Sequence, residues 1–226
     1  KGKKRLYKQF IVMGDTESSL ENKLIPFMEE HKGVSICPYC SPAKIRYQLS
    51  ADLDNIDLFN KTVEDFKNYL GKLIVTENDE EIEDIVVRQL KDKQYKISFA
   101  ESCTGGLLAS TIINVNGASE VIEQSFVTYS NKVKHDLLNV SYETIDKNNV
   151  VSEEVTYEMV IGLSVLSNSD VCISVSGYAG PGENMGKVCY SIKINDFVKS
   201  FTRSFRGNRN LIRLRATRRI LYDLHL

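Results

Sequence analysis

Several shortages in this 226-residue sequence each rule something out. The formal net charge is only −1, so no electrostatic bias draws the whole chain toward nucleic acid or an anionic membrane. Long apolar runs are missing. The longest, such as Val171 to Val175, are strand-sized, and nothing is expected to span a bilayer. The basic start, Lys1 to Lys8, is followed by neither an apolar stretch nor a small-residue cleavage site, so no secretory signal is expected. The five cysteines are odd in number and mostly scattered, which reads as reduced thiols in a cytoplasm. The only histidines are His31, His135 and His225. None sits at a glycine loop, so a Ser–His–Asp system is hard to assemble. Internal repeats and low-complexity tracts are also missing. The first residue is Lys1 rather than methionine, which reads as a processed or partial chain.

What is present is ordinary for a globular chain, 42% hydrophobic and 26% charged, with length for two domains. Residues 5–14 read as a strand and 16–31 as a helix. Strand-like Val34 to Ile36 and Lys44 to Leu49 follow, the second alternating Ile45, Tyr47 and Leu49 with Lys44, Arg46 and Gln48. A helix over 57–70 carries Leu58, Val63, Phe66 and Tyr69, and Leu73 to Val75 forms a short strand. This α+β unit is expected to end near the acidic stretch Glu77 to Glu81.

From about residue 79 helices and strands alternate. Helix 80–92, strand 96–100, helix 103–114 and strand 125–129 come first, then helices over 131–138 and 152–166. Strand 171–176, two strands near 187–194 and 198–205, and helix 209–224 complete the order. Such alternation predicts a three-layer αβα sandwich with a mostly parallel sheet, closed by a hairpin.

Three polar loops follow strands directly: Glu101 to Gly106, Tyr129 to Asn131, and Gly177 to Gly182. In an open parallel sheet such loops converge beyond the carboxyl ends of the strands, where ligands bind. Their glycines let backbone N–H groups approach an anion or a developing oxyanion, and a helix starting at 103 adds positive character. Ser102 sits at the strand-to-helix switch, suited to a nucleophile, although a serine there also serves as a helix N-cap. With histidine scarce, a lysine can act as base if burial leaves it neutral. Lys134 is the candidate, with Tyr129 five residues earlier, although most lysines are surface residues. On the last helix Arg209 and Arg213 fall on the side of Ile212, Ala216 and Ile220. They suit a phosphate, or equally a structural salt bridge or subunit contact. Cys37-Pro38-Tyr39-Cys40 has the form of a redox motif but lies between strands. It reads as a turn, and no second cysteine pair supports zinc. No Gly-x-x-Gly loop marks RNA binding in the first unit, and no nucleic-acid partner is expected.

Assembled, these motifs resemble the CinA family. They are Ala100 to Gly106, Tyr129-Ser130-Asn131 with Lys134, and Val151-Ser152-Glu153-Glu154. Ser176 to Gly182 and Gly207-Asn208-Arg209 complete the family order. The resemblance covers about 79–226 and implies the family's C-terminal amidohydrolase domain. Residues 1–78 resemble its KH-like middle domain through element order and Lys44-Ile45-Arg46. The family's usual first domain, similar to molybdopterin-binding proteins, is not seen in this chain, and activities tied to it are not carried over.

The resemblance implies hydrolysis of nicotinamide mononucleotide to nicotinate mononucleotide and ammonia, without metal or cofactor. Ser102 becomes the nucleophile, Lys134 the base and Tyr129 its hydrogen-bonding aid. Thr104, Gly105, Gly106, Asn131, Gly177, Gly180, Arg209 and Arg213 are the implied substrate-binding residues. The oxyanion donors are expected among the N–H groups of 103 to 106. A cytoplasmic dimer is implied. The sequence departs from the family in Asn208 for Asp, Tyr178 for Ile, and a shortened loop after Gly182. A second reading, from another class, is a non-catalytic ligand-binding or interaction module of a competence or damage response.

Overall fold

The computed structural model describes residues 4–15, 17–42 and 44–224; His225 lies outside them. The chain divides into two compact units, Lys1–Glu81 and Ile82–Leu226.

The first unit runs β1 (Arg5–Val12), α1 (Glu17–Glu30), β2 (Ser35–Ser41), β3 (Lys44–Asp52), α2 (Ile56–Leu70) and β4 (Ile74–Thr76). Its antiparallel strands lie in the order β2-β3-β1-β4, which is the ferredoxin-like split βαβ arrangement. Alternation in β3 buries Ile45, Tyr47 and Leu49 against Phe10, Leu24, Phe27 and Phe66. The buried stripe of α2 is Phe59, Val63, Phe66 and Leu70 at helical spacing. Leu58 and Tyr69, expected on that stripe, are exposed. The Cys37 to Cys40 segment is not a turn but part of β2, with Pro38 opposite Tyr47; the chain reverses between the paired Ser41 and Lys44. Edge position explains this, because proline's missing N–H there need not interrupt the ladder.

The second unit follows with α3 (Ile82–Lys93), β5 (Ile97–Glu101), α4 (Leu107–Ile113), β6 (Ile122–Val127), α5 (Asn131–Leu138), α6 (Tyr142–Asn148), α7 (Glu153–Ser167), β7 (Val171–Gly177), β8 (Lys187–Ile194), β9 (Phe197–Ser204) and α8 (Arg209–Leu224). Its sheet has the order β6-β5-β7-β8-β9. β5 is parallel to β6 and β7, whereas β8 and β9 add antiparallel, so the sheet is mixed. Helices α5, α6 and α7 pack on one side and α3, α4 and α8 on the other, giving three α/β/α layers. β5 is buried along its whole length and β7 up to its final glycine, as strands covered on both faces must be.

Two expected elements differ. α6 was not foreseen. Helix α4 begins at Leu107 instead of 103, because Gly105 (φ 61°) and Gly106 (φ 90°) adopt left-handed backbone that an α-helix cannot contain. Residues 103–106 therefore form a turn beyond β5. Among the described residues no helix is long and apolar enough to cross a membrane.

Candidate active site

Parallel pairing of β5 with β6 and β7 brings Glu101, Val127 and Val175 to the same level of the sheet. The loops leaving these strands meet at one rim. Ser102 follows Glu101 directly, its N–H donating to Val175 O (3.0 Å) and its own carbonyl accepting from Gly105 N–H (3.1 Å). The serine is buried but lines a cavity of about 470 Å³. It does not cap α4, since no side-chain cap bond is made at that helix start.

Ser130 caps α5 by accepting from Val133 N–H (3.2 Å), which sets the helix so that Lys134 points into the protein. Lys134 is fully buried. Its Nζ lies 2.8 Å from Thr128 O, 3.2 Å from Tyr129 O and 3.2 Å from Ser102 Oγ. Among the described residues no carboxylate pairs with it. Burial accordingly pulls the lysine pKa down to about 8. A neutral amine has two N–H donors and one lone pair. The two carbonyls take the donors, and the lone pair is left for the Ser102 hydroxyl proton.

Tyr129 behaves differently from expectation. Its carbonyl supports Lys134, but its side chain is exposed, and its hydroxyl accepts from Arg209 Nη2 (3.1 Å). The phenol makes no hydrogen bond to Lys134. Arg209 opens α8, where Asn208 Oδ1 accepts from Leu211 N–H (3.0 Å) as an N-cap. Asn and Asp perform that task about equally, so the family difference at 208 leaves the helix start intact. Arg209 also stands beside Gly180, both lining the cavity, and among the described residues Tyr129 is its sole hydrogen-bond partner.

Arg213 is engaged by the nucleophile loop. Its Nε donates to Cys103 O (3.1 Å) and its Nη2 to Thr104 O (2.6 Å), clamping the nucleophile loop to α8. Gly177 lines the cavity where a Cβ would meet Cys103 Sγ at 2.8 Å. Thr104 is wholly buried with its hydroxyl unpaired, Gly105 abuts Arg213, and Asn131 is exposed. None of Thr104, Gly105, Gly106 and Asn131 lines the cavity. Tyr178, within the glycine loop read from the sequence, does, and so do Glu183 and Met185, which the sequence reading did not assign to the site.

Glu101 was also missed as a site residue. Fully buried, its Oε2 accepts from Gly106 N–H (2.9 Å) and Leu108 N–H (3.1 Å), and its Oε1 from Ala109 N–H (2.9 Å). The signal was a charged residue closing an otherwise uncharged buried strand, which needs several donors to be tolerated there. Cys103, beside the nucleophile, is kept as the thiol, because burial pushes its pKa up to about 12. His135 bonds Val140 O and His31 bonds Asp65, so neither takes part in the site. Among the described residues no cluster of three or more His, Cys, Asp or Glu could hold a metal ion. A larger open groove, about 630 Å³, lies at α6 and α7 and contains none of these groups.

Fold and site together define a three-layer α/β protein with a buried serine–lysine pair on the rim of a mixed sheet. The CinA C-terminal domain model matches residues 79–226. A Clostridium beijerinckii protein named as competence-damage inducible is 35% identical over 215 residues, covering 91% of this chain and 52% of its own. A CinA-like protein of Thermotoga maritima is 37% identical over 185 residues, covering 80% and 45%. Among solved structures, a competence-damaged protein (CinA) superfamily protein from Klebsiella pneumoniae aligns with TM-score 0.62 and 30% identity, covering 64% of this chain and 93% of its own. The competence/damage inducible protein CihA from Agrobacterium tumefaciens aligns at 0.61 and 31%, covering 66% and 97%. The chain belongs to the CinA family. It spans about half the length of the curated relatives it matches.

Proposed function

We propose that the second unit is an amidohydrolase that converts nicotinamide mononucleotide to nicotinate mononucleotide and ammonia through a Ser/Lys covalent mechanism. The observation that carries this reading is Lys134 Nζ, buried without a carboxylate partner and 3.2 Å from Ser102 Oγ. A binding module has no need to bury an amine there, and burying one is costly. In the reaction, neutral Lys134 takes the Ser102 proton as Oγ attacks the carboxamide carbon. Open backbone N–H groups of the loop receive the carbonyl oxygen as it becomes negative. Lys134 returns the proton to the amide nitrogen, the C–N bond breaks and ammonia leaves. Water then enters, Lys134 takes one of its protons, the hydroxide adds to the nicotinoyl ester carbon, and Lys134 returns that proton to Ser102 Oγ as the ester C–O bond breaks.

Arg209, with donors left over beside the cavity, is the partner we assign to the substrate phosphate. We assign the first unit an accessory role as the KH-like domain of the resemblance, and the assembly is proposed as a cytoplasmic dimer, which light scattering tests. The decisive experiment for the activity is ammonia release from nicotinamide mononucleotide by the purified protein. Parallel calorimetry should show binding of the nicotinate product. Binding of the mononucleotide with no ammonia released at any pH overturns the enzymatic reading in favour of a ligand-binding module.

A further inference from the structure

Of the backbone N–H groups of residues 102–109, six can be followed to an acceptor and two remain. Ser102 N–H goes to Val175 O, Gly105 N–H to Ser102 O, and Leu107 N–H to Thr104 O. The carbonyls of Cys103 and Thr104 are held by Arg213. The N–H groups of Gly106, Leu108 and Ala109 converge on the two oxygens of Glu101. Within residues 102–109 the N–H group of Thr104 has no acceptor and that of Cys103 meets only its own thiol, and both follow Ser102 directly in the chain.

We infer that the oxyanion donors are the backbone N–H groups of Cys103, which lines the cavity, and of Thr104, set back from it but next in the chain, and that Glu101 is the positioning residue that selects them. Glu101 does so by withdrawing the donors beyond them. Glycines at 105 and 106 leave this loop intrinsically loose, and the carboxylate closes it into a ring from 101 to 109. Both oxygens must accept for the ring to close. An amide cannot replace the carboxylate, because its NH2 group meets N–H donors and has nothing to give them. Glu101 touches no substrate. Its influence on turnover passes entirely through the placement of the loop. The inference rests on the amidohydrolase reading, and its test separates the two.

The probe is the substrate analogue with a 3-carbaldehyde in place of the carboxamide. Ser102 Oγ adds to the aldehyde carbon, the serine proton passes to Lys134, and the resulting hemiacetal oxyanion sits where the tetrahedral intermediate's oxygen would. In the parent, turnover of the mononucleotide and tight aldehyde binding must first be seen; their absence overturns the activity itself. With both present, nitrogen-15 spectra of the adduct should move the amides of Cys103 and Thr104 strongly downfield and leave Gly106, Leu108 and Ala109 nearly still. Glu101→Gln should lower kcat roughly 100-fold or more, the loss typical of one displaced oxyanion donor, with KM little changed. It should lose aldehyde affinity in the same proportion while product binding and the pH midpoint stay put. A merely structural carboxylate moves none of these once folded protein is compared. Glu101→Asp keeps the charge but shortens the reach, and it should fall between parent and glutamine variant. Adduct shifts at Gly106 instead of Cys103 and Thr104 in the parent, or a folded glutamine variant with parental kcat and aldehyde affinity, overturn the inference. The spectra need only the parent, so a variant that fails to fold does not spare it.

Discussion

Lys134 Nζ, on the helix that follows β6, reaches Ser102 Oγ, just beyond β5, at 3.2 Å, and its remaining partners are two backbone carbonyls. A lysine so placed lacks the anion that would hold its proton. Its pKa, brought down to about 8 by burial, sets the expected pH profile. kcat/KM for the mononucleotide should rise as pH passes about 8 and then level off, since only the neutral amine accepts the serine proton. Lys134→Arg stays charged throughout and should show no such limb and almost no turnover, while ligand binding is kept. A parental rate in that variant excludes Lys134 as the base.

The same burial links stability to pH. The folded pKa lies below the ordinary 10.5, so at neutral pH the unfolded chain holds its proton more readily than the folded one. The penalty is fully present below about 8 and fades as pH rises through the window up to 10.5. Relative to Lys134→Met, the parent should therefore gain up to about 3 kcal/mol between those limits. Urea unfolding of both proteins at intervals across that range checks the sign. Parallel stability curves would mean that the lysine is protonated alike in both states.

Arg209 and Arg213 lie one turn apart yet face different duties. Arg209→Ala should raise KM for the mononucleotide by a factor matching roughly 1.5–3 kcal/mol, and leave the riboside, which lacks the phosphate, nearly unaffected. Arg213→Ala frees the carbonyls of Cys103 and Thr104 and should lower kcat for both substrates alike. Steady-state kinetics on the substrate pair distinguishes them. A phosphate-selective loss at Arg213 returns that residue to the substrate.

Gly177 keeps Cys103 in place by having no side chain. A methyl group there would sit 2.8 Å from Cys103 Sγ and 2.9 Å from Val188 Cγ2, so Gly177→Ala should sharply reduce turnover. Cys103→Ala alone should keep most of it, because the thiol is not the nucleophile, and the double variant should recover part of what Gly177→Ala loses. A dead Cys103→Ala protein with a parental fold gives the thiol a chemical role.

Cys37 and Cys40 occupy an exposed edge strand of the first unit. Replacing both with serine should leave ammonia release unchanged and remove no bound metal by elemental analysis. Stoichiometric zinc that disappears in the double variant contradicts this.

Much of this was legible in the residues alone. Apolar periodicity marks nearly every strand and helix, because burial of one face is a local property of the pattern. Ser102 and Lys134 were also within reach. A serine at a strand end before glycines and a shortage of histidine narrow the chemistry before any coordinates exist. What periodicity cannot see is where hydrogen bonds close. The start of α4, the edge placement of Cys37 to Cys40, and the division of labour between Arg209 and Arg213 depend on partners up to 110 residues away. Tyr129 shows the limit clearly. Its spacing to Lys134 was informative, but the contact runs through its carbonyl, while its phenol turns to Arg209 across 80 residues. The sequence by itself determined the order of all the helices and strands but α6, because that follows from local patterning, and it named Ser102 and Lys134 by their residue types and loop positions. The tertiary structure alone decided the protonation that Lys134 favours and the donors left open beside Ser102. Those depend on desolvation and on which distant groups have already been satisfied.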